Sequence, residues 1–300
     1  MNKRILALAV FYLLACKGKD NSAPDQKVDN NLPPKEEPSK EIPPTDIVSK
    51  KGMTLSANGA EDTYALINKV LGGTGDVIEV PDVSHPGFGK HITQVFDKDL
   101  EKYVFAFHIH VTPDNDRGTD SDRQRNEIKT YDKSPDSLKA TLNETVKYSW
   151  KFKIDENFKP SSNFTHLHQI KPVDGNASLP IITLTARYKA TGDVLELIHT
   201  GDDDKAVTKV SIPLVDLKGN WIEVEEQLKY ATKGTYDILI KRMKDGKVLL
   251  NKSYADLDLW RSGTSVCRPK WGIYRSLLNP QMLRDETVLF NDFGIVEIIK

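Results

Sequence analysis

The chain predicts an all-β fold, a two-sheet antiparallel β-sandwich of the jelly-roll kind with one short N-terminal helix. Three observations carry this expectation. Alternating apolar patterns fill most of the chain after residue 100. Turn signals such as Lys218-Gly219-Asn220 and Lys244-Asp245-Gly246 separate them. The roughly 245 residues that follow a proline-rich stretch fit one large all-β domain.

The helix is expected over Ala60 to Leu71, where Tyr64, Ile67 and Leu71 recur at helical spacing and Gly72-Gly73 ends the run. From Tyr103 to Val111, residues Phe105, Phe107, Ile109 and Val111 share one face of a strand. Thr145 to Ile154 places Tyr148, Trp150 and Phe152 on one side. Further strands are expected over Pro180 to Tyr188, Ala206 to Leu214, Asn220 to Tyr230, Gly234 to Arg242, Lys247 to Tyr254 and Thr287 to Ile299. No internal repeat interrupts this series.

The N-terminus bears on location. Lys3 and Arg4 precede an apolar run from Ile5 to Leu14, too short to span a bilayer. The run ends in Leu13-Leu14-Ala15-Cys16, which resembles the lipobox of bacterial lipoproteins. That resemblance implies cleavage after residue 15, lipidation of Cys16 and anchorage of a bacterial lipoprotein through lipid alone. Lys17 follows the cysteine where inner-membrane retention would use aspartate, so the outer membrane or cell surface is expected. Residues 16–51 hold six of the sixteen prolines and no aromatic residue, the composition of a disordered tether. The domain is expected over residues 52–300. Cys267 would then stand without a partner, which excludes a disulfide framework and suits a packed thiol. A formal net charge of −1 gives no electrostatic case for nucleic acid. Any polyanion site must therefore be local, on a chain expected to be a monomer.

Three patterns offer such a site: Arg125-Asn126-Glu127-Ile128-Lys129, Gln169-Ile170-Lys171 and Lys270-Trp271-Gly272-Ile273-Tyr274. In a strand, alternate side chains share a face and stand roughly 6.6 Å apart. Arg125, Glu127 and Lys129 would then face together, as would Gln169 with Lys171, and Lys270 with Tyr274 across Gly272. If the three strands are neighbours, they form a cationic, hydrogen-bonding surface containing a phenol, which suits a carboxylated sugar chain.

A uronic acid glycan can be cleaved without water, by β-elimination. The proton beside the carboxylate leaves, and the leaving oxygen receives one. A site must neutralise the carboxylate and supply a base and an acid. Arg125 can hold the carboxylate through its planar fork, and Gln169 can add a hydrogen bond. Lys171 can act as base if burial and neighbouring cations lower its pKa, and Tyr274 can act as acid. Tyr274 in both roles is the alternative. Glu127 is expected to orient Arg125 or a lysine.

Taken in this order, the three motifs resemble those of jelly-roll polysaccharide lyases. Alginate lyases carry a similar set with histidine where this chain has Lys171. The stretches Asp122-Arg123-Gln124-Arg125-Asn126-Glu127-Ile128-Lys129-Thr130-Tyr131 and Phe164-Thr165-His166-Leu167-His168-Gln169-Ile170-Lys171 are closer to glucuronan and ulvan lyases. Phe290-Asn291-Asp292-Phe293 resembles their last strand. The resemblance, over roughly residues 90–300, implies an endo-acting lyase for ulvan or glucuronan that needs no cofactor for catalysis. It also implies Arg125 and Gln169 as neutralisers and Lys171 with Tyr274 as the acid–base pair. The alternative is a non-catalytic glycan-binding lipoprotein on the same sandwich. A hydrolase would need two positioned carboxylates, and no strand presents Glu-x-Asp-x-Glu.

Other candidates surround these. Lys129 and Lys270 extend the cationic face. His108 and His110 are expected to line it, and Arg187, level with Thr183 and Thr185, to bind a further carboxylate or sulfate. By alternation His166 and His168 should turn away from Gln169 and Lys171 into the core. No ligand spacing makes zinc ligands of these four histidines. Asp114, Asp116, Asp120 and Asp122 crowd one loop and offer oxygens for a structural calcium, without the spacing of an EF-hand.

Overall fold

The computed structural model describes residues 48–299. In chain order it contains β1 (Val48–Leu55), α1 (Thr63–Leu71), β2 (Ile78–Glu79), β3 (Ile92–Asp97), β4 (Lys102–Ile109) and β5 (Arg123–Lys129). There follow β6 (Thr145–Lys153), β7 (Thr165–Pro172), β8 (Ile182–Arg187), β9 (Val194–Thr200) and β10 (Ala206–Pro213). The chain closes with β11 (Ile222–Lys229), β12 (Gly234–Arg242), β13 (Lys247–Leu257), β14 (Cys267–Ser276) and β15 (Glu286–Ile299). The leader and Cys16 lie outside the described residues. The first strand takes in residues 48–51, which composition alone had assigned to the tether.

The strands form two antiparallel sheets, as expected. One runs β13-β12-β11-β6-β15-β4-β3, with β1 added alongside β15. The long β15 pairs with β4 over Glu286–Phe290 and with β1 over Phe293–Ile299, so two strands share one of its edges in succession. The other sheet runs β10-β9-β8-β7-β14-β5-β2. The three motif strands are thus adjacent, with β14 at the centre.

The core lies between the sheets. Phe105, Phe107, Tyr148, Trp150, Phe152, Phe290 and Phe293 enter from the first sheet, and Ile128, Ile170, Ile182, Leu184, Trp271 and Ile273 from the second. The Trp271 ring meets Phe293 at 5.2 Å and Trp150 at 6.2 Å between ring centres, which locks β14 against the opposite sheet. Because these residues point inward, their neighbours in sequence on β5 and β14 point outward and build the site.

Helix α1 begins three residues later than its apolar pattern suggested. Asp62 caps it, accepting from the backbone N–H groups of Tyr64 and Ala65, and Gly72 ends it in the left-handed region. The buried Leu66, Ile67 and Leu71 pack it on the core. Cys267 is fully buried and burial pushes its thiol pKa up, the state of a packed thiol rather than a nucleophile.

Gly272 is a steric requirement of β14. Its φ is +146°, and a Cβ there would stand 2.1 Å from the Asn126 carbonyl oxygen and 2.7 Å from Glu127 Cα on β5. Replacing it forces β14 away from β5. Gly272→Ala is expected to cost about 3 kcal/mol or more in urea unfolding, from strain plus overpacking. A loss within ~0.5 kcal/mol of the parent would show that the close approach is not a constraint.

Candidate active site

The outward face of the second sheet carries the three motifs in register. On β14, Tyr274 is paired with Arg125 on one side and His166 on the other. Lys270 lies between Lys129 and Gln169, and Gly272 lies beside Glu127. One level further on, Arg268 is paired with Lys171. All four proposed acid–base and carboxylate residues therefore share one face, but Lys171 and Tyr274 occupy opposite ends of it.

The floor of the site is a buried ionic network. Glu127, fully buried, accepts from Arg125 Nη1 at 2.5 Å and from Gln169 Nε2, and pairs with Lys270 Nζ at 2.8 Å. Glu79, on the two-residue β2, takes Lys129 at 2.8 Å and Arg117 at 2.7 Å and also contacts Lys270. Burial opposes the charge on Glu127, but Lys270 and Arg125 overcome it and hold its carboxyl down at about 2. Burial lowers Lys129 to about 8 despite its contact with Glu79, and its ammonium rests 4.1 Å from the centre of the Tyr131 ring.

Arg125 differs from its expected state. Its fork is closed on Asp116, with Nε to Oδ1 at 2.9 Å and Nη2 to Oδ2 at 3.0 Å. The guanidinium carbon lies 3.6 Å from the centre of the Tyr274 ring, so the cation is stacked against the phenol. Gln169 also spends its donor on Glu127. The two expected neutralisers are thus turned toward protein carboxylates. A second arginine, Arg123, donates from Nη1 to the Tyr274 hydroxyl at 3.2 Å while pairing with Asp122.

Burial raises the Tyr274 pKa above its ordinary value, and the opposing pull of Arg125 and Arg123 does not reverse it. The phenol is therefore protonated at neutral pH. Burial, followed by the charges of Lys270, Arg125 and Arg268, lowers the Lys171 amine to about 8. Its one hydrogen bond goes to the Ser178 carbonyl oxygen at 3.3 Å, and no described carboxylate pairs with it. Arg268 is buried with no acidic partner among the described residues, Nε and Nη1 unbonded, its guanidinium 5.0 Å from the Tyr131 ring centre.

His166 is the clearest departure from alternation. Leu167 and His168 both point into the core, because the β7 register shifts between His166 and His168. His168 stacks on Trp150 at 4.3 Å and bonds Glu226 at 2.7 Å, as a core histidine should. His166 instead reaches the outward face, 5.8 Å from the Tyr274 ring. Its Nδ1 lies 2.8 Å from the Thr185 hydroxyl, which donates onward to Thr183. That chain makes Nδ1 the donor and leaves Nε2 as a lone pair. Burial, opposed by Glu127 but reinforced by nearby arginines, lowers its pKa to about 3 and holds the ring neutral.

Several expected contributors lie elsewhere. His108 and His110 do not line this face: β4 belongs to the other sheet, where His108 sits between Thr93 and Thr287. Arg187 shares the face but is paired with Glu196 at 2.7 Å, so its charge is answered. The four loop aspartates do not converge on a calcium site. Asp114 meets histidines, Asp116 meets Arg125 and Arg117, Asp120 accepts from Thr119, and Asp122 meets Arg123. Glu79, Arg123 and Arg268 were missed. Arg123 and Arg268 continue the alternation of Arg125 and Lys270 and were legible on that basis. Glu79 sits on a strand too short to show a pattern.

No family model matches the chain, and no curated protein matches it. Solved structures do. The alginate lyase Aly36B, as a double mutant in complex with alginate trisaccharide, is similar at TM-score 0.55 and 9% identity, over 83% of this chain and 98% of that one. The marine family 14 alginate lyase from Aplysia kurodai is similar at TM-score 0.52 and 11% identity, over 82% and 98%. The family 7 alginate lyase A1-II' is similar at TM-score 0.50 and 14% identity, over 74% and 94%. At these identities the likeness is one of fold: the chain is built on the sandwich that these polysaccharide lyases use.

Proposed function

We propose that the chain is a polysaccharide lyase that cleaves a uronic-acid-containing glycan by β-elimination. The observation that carries this reading is the pair Tyr274 and His166, a protonated phenol beside a neutral imidazole with a free Nε2, their rings 5.8 Å apart. The abstracted proton and the leaving oxygen sit on neighbouring atoms of one sugar, so base and acid must stand side by side. Lys171 shares the face, with its amine lowered to about 8, but lies six residues away along the strand pair, roughly 20 Å at the usual strand rise, too far to reach the same sugar atoms. In the proposed mechanism His166 takes the proton beside the carboxylate, and Tyr274 gives its phenolic proton to the leaving glycosidic oxygen.

The substrate carboxylate is received beside Tyr274, where Arg125 and Arg123 flank the phenol. Gln169 acts through Glu127, and the sugar that is cleaved lies at the Tyr274 level. Arg268 and Lys171, six residues along the strand pair, suit the carboxylate of a neighbouring uronate. Endo action on ulvan or glucuronan, at the surface of a bacterial outer membrane through lipid on Cys16, is the finer form of the proposal. It rests on the motif resemblance and on the leader.

Incubating the protein with glucuronan, ulvan, alginate and pectate, and following ultraviolet absorbance from the new unsaturated sugar end, tests the reading. Absorbance with at least one of them is expected. Reducing ends without it would indicate hydrolysis, and binding without either product would leave a glycan-binding protein. Tyr274→Phe and His166→Asn should each lower kcat by about 10²–10⁴-fold with the circular dichroism retained, while Lys171→Met should raise KM more than it lowers kcat; near-parental turnover in either of the first two would remove that residue from its role.

The pH profile has a defined sign. The base must be neutral, and His166 is held neutral well below pH 7, so kcat/KM should stay level through neutral pH and fall only where Tyr274 ionises, above its ordinary 10. A rising limb near 8 would point instead to Lys171, whose amine is lowered to about 8. Arg268→Met should leave stability equal or higher, because an unpaired buried charge is removed, while lowering kcat/KM by about 10-fold or more. Unchanged kcat/KM would show that its charge does not reach the substrate.

A further inference from the structure

Outside this face, three histidines and one aspartate come together from two separate segments. His85 and His91 lie between β2 and β3, His110 follows β4, and Asp114 lies in the connection to β5. One ligand-capable atom of each lies within 4.8 Å of all the others. Asp114 is the hub. Its Oδ1 is 2.8 Å from His85 Nδ1 and 3.3 Å from His91 Nε2, and its Oδ2 is 3.1 Å from His110 Nδ1.

His91 Nδ1 lies 2.7 Å from Asp82 Oδ1, an acceptor, so Nδ1 carries a ring proton. Nε2 is fully buried, has no hydrogen-bond partner and faces a carboxylate oxygen of Asp114. Nitrogen and carboxylate can face each other there only with a cation between them, either a second proton on the ring, which burial opposes and Asp114 and Asp82 favour, or a metal ion in its place. Two further imidazole nitrogens around the same carboxylate are donors that a metal can use and a proton cannot.

We infer that His85, His91, His110 and Asp114 form a binding site for one divalent transition-metal ion, with zinc the best match to the donor set. Three imidazole nitrogens and one carboxylate oxygen complete a tetrahedral shell, in which ligand atoms stand roughly 3.3 Å apart for zinc–nitrogen bonds of about 2.0–2.1 Å. The contacts of Asp114, 2.8–3.3 Å through its two oxygens, lie at or a little below that spacing. Asp82 supplies the outer carboxylate that orients a metal-bound histidine, and Tyr64 donates to Asp82 at 2.9 Å to hold it. Phe88 lies over the His91 and His110 rings, at 4.7 and 4.3 Å, and shields the cluster. With four protein ligands the site is structural. It ties the segment before β3 to the loop whose Asp116, two residues beyond Asp114, grips Arg125. This inference does not depend on the lyase reading.

The test uses the full chain, stripped with chelator and titrated with zinc or cobalt, without substrate. One equivalent of zinc should bind, raising the thermal midpoint with zinc concentration, and cobalt should give the visible absorption of a tetrahedral site. His85→Gln with His110→Gln removes two partly exposed ligands and should weaken affinity on the order of 100-fold or more while leaving the circular dichroism intact. Asp82→Asn, which keeps all four ligands, should weaken it by about 10–100-fold and serves as the second variant if the double one does not fold. Zinc bound no more tightly by the parent than by these variants, or cobalt without a tetrahedral spectrum, would overturn the site.

Discussion

The structure of the site depends on two buried carboxylates, Glu127 and Glu79. Between them they hold Arg125, Lys129 and Lys270 in the outward face of the sheet, and Glu79 also takes the partly exposed Arg117 from the loop before β5. Taking charges out of water is expensive, and each member is tolerable only because the others answer it. The network therefore behaves as a unit. Removing Glu79 takes the only paired carboxylate among the described residues from the buried Lys129, while Asp116 and Glu127 still answer the other cations; removing Glu127 leaves Arg125 on Asp116 and Lys270 on Glu79. Either loss unbalances a buried network and costs more than one surface ion pair. Its reward is rigidity: Arg125 cannot swing, so the tyrosine stacked on it cannot either.

Two irregularities in the ladders then decide what stands above this floor. Gly272 lets β14 approach β5 so closely that Glu127 and Lys270 meet beneath the surface. The shift at Leu167 turns His166 outward next to Tyr274 and leaves His168 in the core beside Trp150. One extra inward residue thus changes the chemistry of the face, because a strand has a period of two and any slip exchanges its sides.

Much of this was legible in the sequence. The alternation of Arg125, Glu127 and Lys129, and of Lys270 and Tyr274, put those residues on the correct face because β5 and β14 are regular where they pair with each other. The sandwich was legible for the same reason, from Phe105, Phe107, Tyr148 and Trp150 recurring at every second place. What failed needed three-dimensional knowledge. His166 was misplaced because alternation cannot see a bulge. His108 and His110 were assigned to the wrong sheet because periodicity does not say which strands are neighbours. Arg125 read as a free fork because Asp116, nine residues earlier, showed only as part of an acidic loop.

The same loop joins the two halves of the reading. Asp114 and Asp116 stand two residues apart and face opposite tasks, one among histidines and one on Arg125. A fork occupied by a protein carboxylate is not a defect in a site proposed to bind a carboxylate. It keeps the guanidinium flat against Tyr274 in the absence of substrate, so little reorganisation is needed when a uronate arrives. The arriving group need only share the cation with Asp116, not recruit it. Whatever fixes Asp114 therefore fixes the geometry of Tyr274 through Asp116 and Arg125, and a structural ion at Asp114 would act on the chemistry without touching the sugar.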